Sequence, residues 1–105
     1  QRLIEKNPTL TAIIAYYDIT ALGALRGLAD LGYRIPQDIS LIGYDGMPVT
    51  EVACPRLTTV SFPVHQIARA ACNLLMKRLE QAGEPQDIVI VPELIVRDST
   101  GAPRS

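Results

Sequence analysis

Two cysteines and one histidine occur among the 105 residues, Cys54, Cys72 and His65. They form no C-x-x-C pair and no Cys/His cluster, which excludes a structural zinc site and argues against a disulfide framework. A reducing cytoplasm is the expected compartment. Basic excess is also missing. Ten Lys and Arg stand against eleven Asp and Glu, a formal net charge of −1, so the footprint of a DNA- or RNA-binding module is lacking. No apolar run approaches the ~20 residues of a membrane helix. Neither a G-x-S-x-G elbow, nor a P-loop, nor a G-x-G-x-x-G stretch is present, so no catalytic residue, metal or cofactor is expected.

What is present suits one folded domain. Hydrophobic residues make up 48% and charged residues 20%, enough apolar surface for a core. The opening run Gln1-Arg2-Leu3-Ile4-Glu5-Lys6 reads as the last turns of a helix stopped by Asn7-Pro8. Residues 1–105 are therefore expected to be a piece of a larger domain.

Hydrophobic patterning then alternates. Thr11-Ala12-Ile13-Ile14-Ala15-Tyr16 is a short apolar run suited to a strand buried on both faces. Asp18 reads as the N-cap of a helix over residues 19–31, ended by Gly32. Gly23 and Gly27 inside it suggest close packing. Residues 39–44 form a second strand, stopped by the Asp45-Gly46 turn signal. A short helix over 48–53 and a third strand over 57–60 follow. A long amphipathic helix over 64–82 places Cys72 in or just under a core. Short strands are expected over 88–91 and 94–96, then a loose tail over 99–105. The pattern points to an α/β unit with a mainly parallel sheet flanked by helices.

In such sheets, ligands bind outside the C-terminal ends of the strands. That directs attention to Tyr16-Tyr17-Asp18 and Tyr44-Asp45-Gly46. An Asp45 carboxylate offers several acceptor sites to ligand hydroxyls, but Asp-Gly also favours turns for backbone reasons, and spacing alone favours the turn. Tyr17 is open to two roles, stacking on a ligand or filling a gap.

Four runs together resemble the lactose-repressor/galactose-repressor (LacI/GalR) family. They are Ala12-Ile13-Ile14-Ala15-Tyr16-Tyr17-Asp18 through Leu25, Ile35-Pro36-Gln37-Asp38-Ile39-Ser40-Leu41-Ile42-Gly43-Tyr44-Asp45, Pro55-Arg56-Leu57-Thr58-Thr59-Val60, and Pro92-Glu93-Leu94-Ile95-Val96-Arg97-Asp98-Ser99. The resemblance implies a partial periplasmic-binding-protein-like (type I) effector domain, with residues 1–105 as its C-terminal part and the DNA-binding headpiece outside it. It implies a cytoplasmic bacterial regulator that senses a small molecule, expected to be a carbohydrate, and pairs as a homodimer. Operator DNA would be met only through the N-terminal domain. Asp45 matches a family effector ligand. Tyr17 stands where the family usually has an asparagine that is often an effector ligand, and Phe62 where the chain passes beside the cleft, either stacking on the effector or serving as a buried hinge residue; with Asp45, both are expected effector-binding positions. Leu22, Val52, Ala53 and Cys54 resemble dimer-interface positions. The alternative of a different class is a solute-binding protein of a transport system, which shares the fold; the wording of the second and third runs matches regulators better.

Overall fold

The computed structural model describes residues 2–81 and 83–105, which sort into two units: Gln1–Ser61 with Glu93–Ser105, and Phe62–Pro92. In the first unit, helix α1 (Arg2–Lys6) ends at Asn7, whose side-chain amide donates to the Leu3 carbonyl at 2.9 Å. Strand β1 (Ala12–Ile14) leads into helix α2 (Asp18–Asp30). The helix closes on Gly32 at φ +83°, with Gly32 N–H bonded to Ala29 O and Tyr33 N–H to Leu28 O. That paired closure needs a left-handed residue, which glycine supplies without steric cost.

Strand β2 (Ser40–Asp45), the short helix α3 (Val49–Val52) and strand β3 (Thr58–Ser61) follow, and strand β4 (Glu93–Ile95) completes the unit. The sheet order is β1-β2-β3-β4, with the first two pairings parallel and the last antiparallel. The expected mainly parallel α/β sheet is thus present. Ala15, Ala21, Leu41 and Leu57 form its buried core, with Ile13, Leu22, Leu25 and Ile35 packed around them. Full burial of a leucine such as Leu41 or Leu57 contributes about 1.5–3 kcal/mol.

The connection into β2 is fixed by one ion pair. Arg34 donates from Nε and Nη2 to the two oxygens of Asp38, both at 2.8 Å, and its backbone N–H adds a third bond of 2.8 Å. The guanidinium bonds, then the backbone bond, hold the Asp38 carboxyl well below the usual carboxylate range.

Several expectations are corrected. The tail is anchored rather than loose: Ser99 is fully buried, its Oγ accepting from Thr58 N–H at 2.8 Å and donating to Leu41 O at 2.6 Å. Leu41 N–H bonds Ser99 O, and Gly101 N–H bonds Ser40 Oγ. The tail therefore supplies partners that β2 and β3 lack where their own pairing has not begun. Residues 88–91 form no strand; Val89 and Val91 are exposed, and a β-rich run has no ladder without a neighbouring edge. Gly23 and Gly27 meet nothing within 4 Å of an added Cβ, so neither serves close packing among the described residues.

The second unit is built on helix α4 (Val64–Leu79), none of whose residues is buried. Cys72 is exposed on it, contrary to expectation. The last residue expected in this helix, Ala82, lies outside the described residues.

Candidate functional site

Parallel pairing brings the C-terminal ends of β1, β2 and β3 to one edge of the sheet. After β1 come Tyr16 and Tyr17, packed edge to face with ring centroids 4.6 Å apart. Both rings are exposed, an arrangement that presents aromatic surface while each ring supports the other. β2 ends at Asp45, paired in register with Ser61 at the end of β3.

Asp45 adopts φ +119°, a region that residues bearing a Cβ rarely enter. Gly46 follows at φ +77°, where a Cβ would collide with Ser61, so this position requires glycine. The Asp45 side chain is half-buried, and among the described residues nothing donates a hydrogen bond or pairs a charge to it. A carboxylate at a strand end, poised by a costly backbone and without a partner among the described residues, is an acceptor open to an outside donor.

Asp18 does not cap the helix, which corrects the N-cap expectation. The capping position belongs to Tyr17, in extended conformation and without a side-chain cap bond. Asp18 is the first helical residue and is fully buried. Its Oδ1 accepts from the Thr59 hydroxyl at 2.6 Å and its Oδ2 from Met47 N–H at 2.7 Å. The Thr59 hydroxyl in turn accepts from Gly46 N–H at 3.3 Å. Met47 O accepts from Thr50 Oγ1 at 2.6 Å, and Arg97 Nη1 reaches that same hydroxyl and Leu57 O. Both polar groups of Met47 are thereby held.

The side chains of successive strand residues point to opposite faces. Accordingly, Thr58 serves the tail through Thr100 and Arg97 N–H, while Thr59 serves the turn after β2. Sequence reasoning passes over Thr59 and the Met47 amide. One signal pointed there: Gly43 lies inside a strand, and an added Cβ would collide with Asp18.

Among the other expected site residues, Phe62 is half-buried and begins the second unit. Leu22 and Cys54 line one shallow groove of about 240 Å³ together with Leu25, Tyr33, Ile35 and Pro55. Ala53 is half-buried at the end of α3, and Val52 is 81% exposed. Among the described residues no group of His, Cys, Asp and Glu is arranged to hold a metal. No described helix is long and apolar enough to cross a membrane.

Residues 1–100 match the family described as a periplasmic binding protein-like domain. The transcriptional regulator MalR of Clostridium butyricum is 38% identical over 98 residues, covering 93% of this chain and 29% of MalR. Among solved structures, a LacI family transcriptional regulator from Arthrobacter sp. FB24 in complex with lactose superposes with a TM-score of 0.85 and 32% identity, over 95% of this chain and 38% of that one. The regulator CelR in complex with cellobiose gives a TM-score of 0.86 and 36% identity, over 92% of this chain and 30% of CelR. The chain thus spans about a third of the length of these relatives.

Proposed function

Because this chain belongs to the periplasmic binding protein-like domain family, in its LacI/GalR regulator branch, we propose that its sheet edge senses a small polyhydroxylated effector and that its first unit pairs with a second copy. The observation that carries the reading is Asp45: a half-buried carboxylate without a partner among the described residues, held at φ +119° at the C-terminal end of a parallel strand. It accepts hydrogen bonds from adjacent sugar hydroxyls. Tyr17, half exposed beside Tyr16, supplies a ring face for the apolar side of a pyranose. The lactose and cellobiose complexes of the two structural relatives support a carbohydrate. This is a binding role, not a catalytic one, carried out in the bacterial cytoplasm. Contact with operator DNA is made outside these residues, whose net charge of −1 offers no basic footprint.

Pairing of two copies uses the groove holding Leu22 and Cys54 together with the exposed Val52 and its neighbour Ala53. Sedimentation velocity checks it: Leu22→Glu shifts a dimer to monomer, and an unchanged sedimentation coefficient removes this face from the interface.

Titration calorimetry with cellobiose and lactose tests the effector site. Asparagine tolerates the turn but lacks the charge and one acceptor. Asp45→Asn therefore weakens binding roughly ten- to hundredfold, the loss of about 1.5–3 kcal/mol expected of a charge-assisted bond. Unchanged affinity in the mutant takes Asp45 out of the site.

A further inference from the structure

We propose that Asp18 is a positioning residue for the effector site: its buried carboxylate ties the turn after β2 to β3 and thereby sets the direction of the Asp45 side chain. The proposal rests on the reading of Asp45 as an effector acceptor. Asp18 has no exposed surface and belongs to the first turn of α2, so it touches no ligand itself. Its two oxygens are each committed. One accepts a hydrogen bond from the Thr59 hydroxyl on β3, 41 residues away, and the other accepts from Met47 N–H, 29 residues away. Met47 stands two residues beyond Asp45, and the residue between them, Gly46, donates to the Thr59 hydroxyl that Asp18 orients.

Backbone pairing joins β2 to β3 as far as Asp45 and Ser61, but it places neither α2 nor the turn after β2. Asp45 sits at positive φ without a glycine's freedom, a conformation that surrounding structure must impose. The Asp18–Thr59 pair imposes it by gripping the next two peptide N–H groups. Steric arrangement agrees: Gly43 has no side chain because Asp18 fills the space a Cβ would take, with Leu57 Cδ2 at 2.9 Å closing the other side. Charged acceptors make the stronger hydrogen bonds, and inside a protein they are little screened, so this grip is stiff.

The test uses the full chain and three variants, Asp18→Asn, Thr59→Val and Thr59→Ser. Binding of cellobiose and lactose is measured by calorimetry, amide exchange of Gly46 and Met47 by NMR, and the Asp45 backbone angle by its HN–Hα coupling. Asp18→Asn and Thr59→Val are expected to weaken sugar binding at least tenfold and to speed Met47 exchange, while Leu41 and Ile42 stay protected. Thr59→Ser restores the hydroxyl and is expected to bind within about twofold of wild type. Should Asp18→Asn fail to fold, the Thr59 pair decides: valine and serine binding alike overturns the proposal. Faster Met47 exchange with unchanged affinity also overturns it, because the bracket is then structural alone. If wild type binds neither sugar, the effector reading fails separately, and the coupling constant decides. An altered Asp45 angle in Asp18→Asn upholds the bracket, and an unaltered one overturns it.

Discussion

Replacing Asp45 by glycine sets the backbone and the side chain of one residue against each other. The backbone sits at φ +119°, a region that costs a residue with a Cβ about 1–3 kcal/mol. Glycine removes that cost but adds about 0.5–1 kcal/mol of chain entropy to the unfolded state. The difference leaves Asp45→Gly more stable than wild type by up to about 2.5 kcal/mol. The side chain holds no described partner whose loss would offset this. Urea denaturation followed by circular dichroism reads the gain as a raised midpoint with unchanged slope. In a domain of this size each kcal/mol also raises the melting temperature by about 4–8 °C. Cellobiose binding, measured on the same samples, falls by roughly ten- to hundredfold because the acceptor is gone. A mutant less stable than wild type by more than about 1 kcal/mol would falsify the reasoning, since the carboxylate would then be holding the turn.

Gly43→Ala should destabilise by about 1–3 kcal/mol, because its Cβ meets buried Asp18 and Leu57; a denaturant midpoint equal to wild type would show that the strand has room to shift. Ser99→Ala strips partners from Thr58 N–H and Leu41 O, both served by the buried Ser99 hydroxyl. A loss of about 2–5 kcal/mol is expected, read by thermal melts, and a loss below about 1 kcal/mol would mean that other donors step in. Asp38 contributes a small acid-sensitive stabilisation. Its folded pKa is depressed by Arg34, so the contribution is present above the unfolded carboxylate value of about 3.9 and is lost as pH falls through the folded value. Arg34 is 72% exposed, so salt weakens the effect. Carboxyl-carbon NMR should show Asp38 still ionised where a free aspartate has protonated, and a normal midpoint would disprove the pairing in solution.

Much of the sheet was legible because its causes are local. The run at 12–14 is apolar with two isoleucines, the run at 40–45 carries Leu41, Ile42 and Tyr44, and the Asp45-Gly46 pair marks the turn by itself. Asp18 misled for the same reason. An aspartate at the head of a helical pattern looks like a cap, and its true partners stand 29 and 41 residues along the chain. The tail misled because it is short and polar, whereas Ser99 is buried by partners 41 and 58 residues earlier. Residues 88–91 show the opposite error: β-branched side chains favour a strand, but a strand exists only against an edge that accepts it. Asp45 was visible as a candidate, and its backbone strain was not, since a dihedral angle leaves no trace in composition.

Ser99 also gives this unit an order in time. The hydroxyl that joins Leu41 to Thr58 is synthesised 41 residues after Thr58. At about 5–20 residues per second, that interval is roughly 2–8 s. Throughout it, β2 and β3 exist as sequence while the groups Ser99 will bridge are left to water. The unit is discontinuous, with Phe62–Pro92 made between its two parts. Its closing contacts are therefore long-range and late, the kind that slow folding most. An arrested nascent chain whose Ser99 still lies within the ribosome would hold β2 and β3 without this clasp, and its protease sensitivity should drop sharply once Ser99 has cleared the exit tunnel.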